Sequence, residues 1–282
     1  MRLLRYGLKG QEKPAILDDK DQLRDLSAII ADIDAQTLAN NALTKISQVD
    51  IDTLPVINHA ERIAPCVGKV GKFICIGLNY RDHAKETGAQ IPKEPVIFNK
   101  WTSAISGPND NIVLPRGSTH TDWEVELGII IGKEGKYIQE QDSLSYVAGY
   151  CVVNDVSERD YQKNRGGTWD KGKGCDSFGP IGPWLVTADE ISDPQQLELW
   201  LEVDGKRYQH SNTSNMIFNV KQIISYVSQF MSLQPGDIIS TGTPPGVGLG
   251  IKPEPVFLKA GQKVRLGIEK LGIQEQLVVN EC

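Results

Sequence analysis

The chain has 282 residues, 40% hydrophobic and 23% charged, and carries a net charge of −6. That length supports a sizeable core, as one large domain or a large domain with a small one, and the acidic balance argues against nucleic acid as a general partner. The most apolar run, "LGIIIG", falls far short of the roughly 20 residues of a membrane-spanning helix, and the interrupted opening "MRLLRYGLKGQEKP" does not read as a secretory signal.

Residues 1–68 read as a small α/β unit. "RLLRYG" and "PAILDD" form a hairpin through Gly7, Gly10 and Pro14, and "DQLRDLSAIIADI" follows with helical spacing. "NHAERIAPCVGKVGK" is a connection, which puts a domain boundary near residue 68. Nothing in this unit suggests chemistry.

Residues 69–282 consist mostly of short β-type segments: "FICIG", "PVIFNK", "DNIVL", "WEVELGIIIG", "AGYCVVND", "PWLVTADE", "LELWLEVDGKRYQ", "GDIISTG" and "QKVRLGIE". Asp204-Gly205 supplies a hairpin turn. One later segment has firm helical spacing, through Ile223, Ile224, Val227, Phe230 and Met231. Helices are too few for an alternating parallel-sheet fold, so the fold class is α+β and β-rich. The five cysteines form no C-x-x-C pair, and Cys75 and Cys151 lie in apolar runs, which fits a reducing cytoplasm.

Four stretches could carry chemistry. In "FICIGLNYRDHAKETG" a strand ends at Gly77 and a helix runs from Tyr80 to Thr87, with Asn79 near its cap and Gly88 as its stop. His83 and Glu86 then share a helix face, and a carboxylate beside an imidazole raises its basicity towards water. In "TDWEVELG", strand alternation sets Trp123, Val125 and Leu127 on one face and Glu124 and Glu126 on the other. Two carboxylates at that spacing repel unless water screens them or a proton or cation joins them.

In "AGYCVVNDVSERDYQ", Asp155 points the same way as Cys151 and Val153. Three carboxylates without a thiolate suit Mg²⁺ or Mn²⁺ better than Zn²⁺, although a solvated strand face has the same spacing. Finally, Lys171 and Lys173 lie in a glycine-rich loop suited to an anionic substrate. The glycines of 242–250 lack the G-K-[ST] of a phosphate loop. Cys175 has no base partner for a thiol nucleophile, and there is no G-x-S-x-G or H-E-x-x-H.

The order "GLNYRDHAKE", "FNKWTSAISGP", "WEVELGIIIG", "GYCVVNDVSERDYQ", "KGKGCDSFGPIGPW" and "DIISTGTPPGVG" resembles the fumarylacetoacetate hydrolase family over roughly residues 70–282. The opening "LLRYGLKGQEKPAILD" is similar to that of longer bacterial members, including hydrolases of 2,4-diketo-3-deoxy sugar acids. The resemblance implies a mixed β-sheet roll around a metal site, usually in a homodimer. It implies Glu124, Glu126 and Asp155 as ligands of Mg²⁺ or Mn²⁺, and His83 and Glu86 as a catalytic dyad on a segment that closes over the site. Lys173 matches a lysine near metal and substrate, Gln162 a glutamine that positions water or the oxyanion, and Thr243 a threonine at the substrate's carboxylate end. Because Lys171 is also present, Lys173 is preferred for its distance from "FGPIGP".

These parts fit hydrolysis of the C3–C4 bond of a 2,4-diketo acid to pyruvate and a carboxylic acid. Decarboxylation of oxaloacetate, keto–enol isomerisation and hydratase chemistry are the alternatives within the family. A non-enzymatic alternative is an idle protein that binds metal and keto acid. The loop "SNTSNMIF" is a candidate reader of substrate hydroxyls beyond C4.

Overall fold

The computed structural model describes residues 1–39, 42–87 and 90–281; the Gly88 helix stop and Cys282 lie outside them. A large sheet of eleven strands organises the molecule. Its main path runs through Leu23–Asp25 (β3), Lys13–Leu17 (β2), Arg2–Tyr6 (β1), Gly179–Thr187 (β13), Val147–Asn154 (β11), Val125–Ile131 (β10), Ile238–Ser240 (β16), Phe73–Gly77 (β5) and Val96–Lys100 (β6). Ile63–Ala64 (β4) joins β1, and Ile105–Ser106 (β7) joins β13. Most pairings are antiparallel; β16 with β5 and β7 with β13 are parallel. The architecture is the mixed, strand-rich one expected.

A second sheet of five strands runs Lys206–Asn212 (β15), Glu198–Val203 (β14), Lys263–Ile268 (β17), Gly272–Asn280 (β18) and Ile112–Leu114 (β8). Its β14–β15 hairpin turns at Asp204 and Gly205, both with positive φ, as the Asp-Gly signal predicts. One core cluster joins the two sheets: Val125, Leu127, Ile129 and Ile131 of β10, Leu199 and Leu201 of β14, Leu266 of β17, and Ile223, Ile224 and Val227 of the helix Val220–Phe230 (α6). A second cluster lies on the other face of the large sheet, where Phe73, Cys75, Ile130, Cys151, Val153 and Ile238 meet Leu3, Ile16, Leu26, Ile33 and Ile46. β1 is hydrogen-bonded to β13, and residues from both sides of position 68 pack together in this cluster.

The helix expected over "DQLRDLSAIIADI" is not formed. Leu23 pairs with Leu17 across the β2–β3 edge, and Asp25 accepts from the Ser27 N–H. Sheet pairing and a side-chain turn outweigh the helical spacing there, while Leu26, Ile30 and Ile33 still reach the core. The helices of this region come later, at Ala35–Ala39 (α1) and Ala42–Ser47 (α2). β18 was not anticipated. Its inward positions carry Gln274 and Gln276, fully buried, while Ile273 and Leu277 face outward. Gln274 donates to the carbonyls of Val152 and Gly182, and Gln276 to that of Pro108. Hydrogen bonding docks these two inward positions, and the third, Val278, packs into the core.

Candidate active site

Strand parity builds the site. On the second-cluster face of the large sheet, β10 carries Ile130 and then, past Gly128, Glu126, with Glu124 just before the strand's first residue. On β11, Cys151 and Val153 lead to Asp155. The same face therefore turns from apolar to acidic within a few residues. One oxygen each of Glu124, Glu126 and Asp155 lies within 4.8 Å of the others, and all three residues are buried. The Asp155 N–H donates to the Glu124 carbonyl, fixing the two strand ends against each other.

Three cations stand around these carboxylates. The Lys173 Nζ donates to Glu124 Oε2 and Asp155 Oδ2, each at 2.7 Å. Lys100 Nζ reaches Asp155 Oδ1 at 2.5 Å. Arg159 Nη2 lies 2.7 Å from both Glu124 Oε1 and Asp122 Oδ2. Burial alone would raise the Glu124 carboxyl, but Lys173 and Arg159 outweigh it and bring it to about 2. Glu126 makes no ion pair within 4.0 Å among the described residues; Ser240 Oγ and the Gly242 N–H donate to its Oε2. Burial, then the charges of Asp155 and Glu124, push its carboxyl well above the usual range.

The helix Arg81–Thr87 (α3) holds His83 Nδ1 3.1 Å from Glu86 Oε2. Between β5 and α3, Leu78 adopts a left-handed conformation (φ 55). Asn79 locks this turn, its amide donating to the Thr241 and Phe218 carbonyls and its oxygen accepting from the Phe218 N–H. The loop "SNTSNMIF" does not line the cavity. Instead Ser211 and Asn215 donate to Asp82 of α3, and the Met216 carbonyl accepts from Arg81. Side chains that looked available for substrate hydroxyls are occupied in holding the helix.

The lysine-bearing segment is a short helix, Asp170–Lys173 (α5), rather than an open loop. It buries Lys173 and leaves Lys171 to donate to the Arg165 carbonyl. Gln162 lies on the unanticipated helix Arg159–Asn164 (α4), where its Oε1 accepts from Arg159 Nη1; its amide NH₂ is the group left to donate. Thr243 Oγ1 donates to the Val125 carbonyl and accepts from Gln209 Nε2, so its hydroxyl hydrogen is already taken up. Its main-chain N–H makes no hydrogen bond among the described residues. Burial pushes the Cys175 thiol up to about 11, which disfavours a thiolate.

A cavity of about 490 Å³ brings Glu124, Glu126, Lys173, His83, Glu86, Gln162 and Thr243 together, walled by Phe98, Trp169, Val247 and Leu249. Asp155, fully buried beside the two glutamates, does not itself line the cavity. Sequence reasoning missed Lys100, Asp122 and Arg159. For Asp122 a signal existed, because it shares strand parity with both glutamates. Lys100 and Arg159 reach the site only through folding.

A model of the fumarylacetoacetate (FAA) hydrolase C-terminal domain matches residues 72–279. The chain belongs to the fumarylacetoacetate hydrolase family. A Burkholderia ambifaria relative, itself carrying only a provisional hydrolase name, is 62% identical over 280 residues, 99% of each chain. Maleylpyruvate hydrolase from Sphingobium sp. SYK-6, crystallised with manganese(II) and pyruvate, superposes with a TM-score of 0.82 at 29% identity over 100% of both chains. The 2-hydroxyhepta-2,4-diene-1,7-dioate isomerase of Mycobacterium marinum superposes at 0.74 with 33% identity, over 100% of this chain and 99% of that one. The family thus contains both hydrolases and isomerases acting on small keto-acid-like molecules.

The donor set here fits a divalent ion. It offers three buried oxygens and no sulfur or imidazole, the set preferred by Mg²⁺ or Mn²⁺. Asp122, Glu124 and Asp155 are ion-paired with Lys100, Arg159 and Lys173, and Glu126 is the carboxyl of the four that makes no ion pair among the described residues.

Proposed function

We propose that the protein hydrolyses the C3–C4 bond of a 2,4-diketo acid to pyruvate and a carboxylic acid, with Mg²⁺ or Mn²⁺ held by Glu124, Glu126 and Asp155. The observation that carries this reading is that the His83–Glu86 pair opens on the same cavity as the carboxylates. The ion, when bound, would polarise the 2-keto group and favour negative charge on the enolate that leaves. His83, its Nδ1 tied to Glu86, takes a proton from water as the oxygen adds to C4. The Lys173 ammonium has a third N–H beyond the two bonded to carboxylates, and with the Gln162 amide it meets the oxyanion at C4. The C3–C4 bond then breaks, and C3 of the enolate takes a proton to give pyruvate. Thr243 holds the substrate's carboxylate end through its main-chain N–H.

Isomerisation or decarboxylation is the second reading, favoured by the isomerase among the structural relatives. Those reactions use the enolate without a water-activating pair. The deciding assay is pyruvate release from a panel of 2,4-diketo acids, followed by loss of enol absorbance with and without added Mg²⁺ or Mn²⁺. Metal-dependent pyruvate release supports hydrolysis. Turnover of oxaloacetate alone, with every 2,4-diketo acid inert, would falsify it.

A further inference from the structure

The two halves of the site stand on different elements. The carboxylates stand at the start of β10 and just past the end of β11, and the His83–Glu86 pair on α3. One residue outside the cavity lining touches what holds both. Asp122 is fully buried, in a two-residue strand, Thr121–Asp122 (β9), that pairs with Ser157–Glu158 (β12). Its Oδ2 accepts from Arg159 Nε at 2.8 Å and Nη2 at 2.7 Å. Its Oδ1 accepts from the Gly248 N–H at 2.6 Å, and Oδ2 also from the Leu249 N–H at 3.0 Å.

Arg159 leads to Glu124 and Gln162. The glycine-rich loop leads to the dyad, because the Gly246 N–H donates to Glu86 at 3.2 Å. The Gly246 carbonyl is anchored by the indole N–H of Trp123, next to Asp122 in sequence. The loop lies close against its neighbours: a Cβ on Gly248 would collide with the Val256 carbonyl. We infer that Asp122 is a positioning residue that keeps the carboxylate half and the His83–Glu86 half of the site in register. The inference rests on the proposed water-activating role of the dyad. Its physical basis is that a buried carboxylate bonded to a guanidinium and to the backbone N–H groups of Trp123, Gly248 and Leu249 fixes all of them at once.

The test uses the metal-loaded full chain and 2,4-dioxopentanoate. Asp122→Asn keeps the shape and removes the charge, and it should lower kcat by about thirtyfold or more, the scale of charged hydrogen bonds, with KM little changed. Adding Glu86→Gln to that variant should cost much less than Glu86→Gln costs alone, because Glu86 has already lost its register. Hydrogen exchange should rise across residues 244–250 more than across β14 and β17, with the secondary structure of the parent retained, while the charge left uncompensated on Arg159 lowers the melting temperature. Multiplicative kinetic losses with unchanged exchange in that segment would overturn the inference. Should Glu86→Gln alone leave turnover intact, the dyad reading fails separately. Asp122 is then judged by exchange and Mn²⁺ affinity: faster exchange with weaker Mn²⁺ binding supports the coupling, and no change in either overturns it.

Discussion

At Lys173 an ammonium group with 2% exposure lies against two buried carboxylates. Burial would lower its pKa, but Asp155 and Glu124 hold it above the ordinary lysine value. Removing one partner of such a buried cluster leaves uncompensated charge, which costs about 3–5 kcal/mol. Lys173→Met should therefore lower the melting temperature of metal-free protein clearly, and added Mn²⁺ should recover more stability in the variant than in the parent, as thermal melts with and without Mn²⁺ would reveal. His83 Nδ1 pairs with Glu86. His83→Ala should lower pyruvate release by about two to four orders of magnitude, the reach of a general base, and leave Mn²⁺ affinity near the parent value. Loss of Mn²⁺ binding in a calorimetric titration of that variant would make His83 a ligand instead.

Elements set the site by parity and by pinning. The period of two on β10 and β11 sends Glu124, Glu126 and Asp155 to one face, and β16 adds Ser240 from the same face. Pinning is clearest where the N-terminal strands meet the rest of the chain. Arg62 reaches Asp110 at 2.6 Å and also bonds Glu12. Burial would raise the Asp110 carboxyl, but Arg62 and the Gly107 N–H outweigh it and hold it below its ordinary value of 3.8. A carboxylate depressed in the folded state stabilises above its unfolded pKa, and that contribution is lost as pH falls through the folded value. Asp110→Asn should thus melt lower than the parent at neutral pH, with the gap closing as the pH is taken below about 4. A gap independent of pH in calorimetric scans would mean that charge has no part in this contact.

For the whole molecule, the cavity lies where the acidic end of the large sheet, α3, α4, α5 and the 243–250 loop converge. No single element could exclude water or hold four kinds of group around one small substrate. The proposed chemistry is strict about that substrate. Its 1-carboxylate and 2-ketone are needed for chelation, and its C4 must be electrophilic for the water. A 2-keto acid without the C4 carbonyl, such as 2-oxopentanoate, should compete with 2,4-diketo acids and release no pyruvate, as inhibition kinetics with product analysis would establish. Hydrolysis of such an analogue would remove the need for the C4 carbonyl and with it the mechanism.

The β-rich class, most strands, the β14–β15 turn and α6 were legible in the sequence because they depend on local period and turn chemistry. Trp123, Val125 and Leu127 against Glu124 and Glu126 already divided β10 into a core side and a site side. β18 was illegible because two of its three inward residues are glutamines that bond to carbonyls distant in sequence, and "DQLRDLSAIIADI" misled because sheet pairing with β2 outweighed its helical spacing. Whether Lys171 or Lys173 serves the site was decided by α5, which buries one and exposes the other. Asp122, Lys100 and Arg159 gain meaning only from partners tens of residues away. Sequence by itself determined which residue types face one way along each strand. Tertiary structure decided which of those faces meet, because a buried charge is tolerated only where folding brings it a partner.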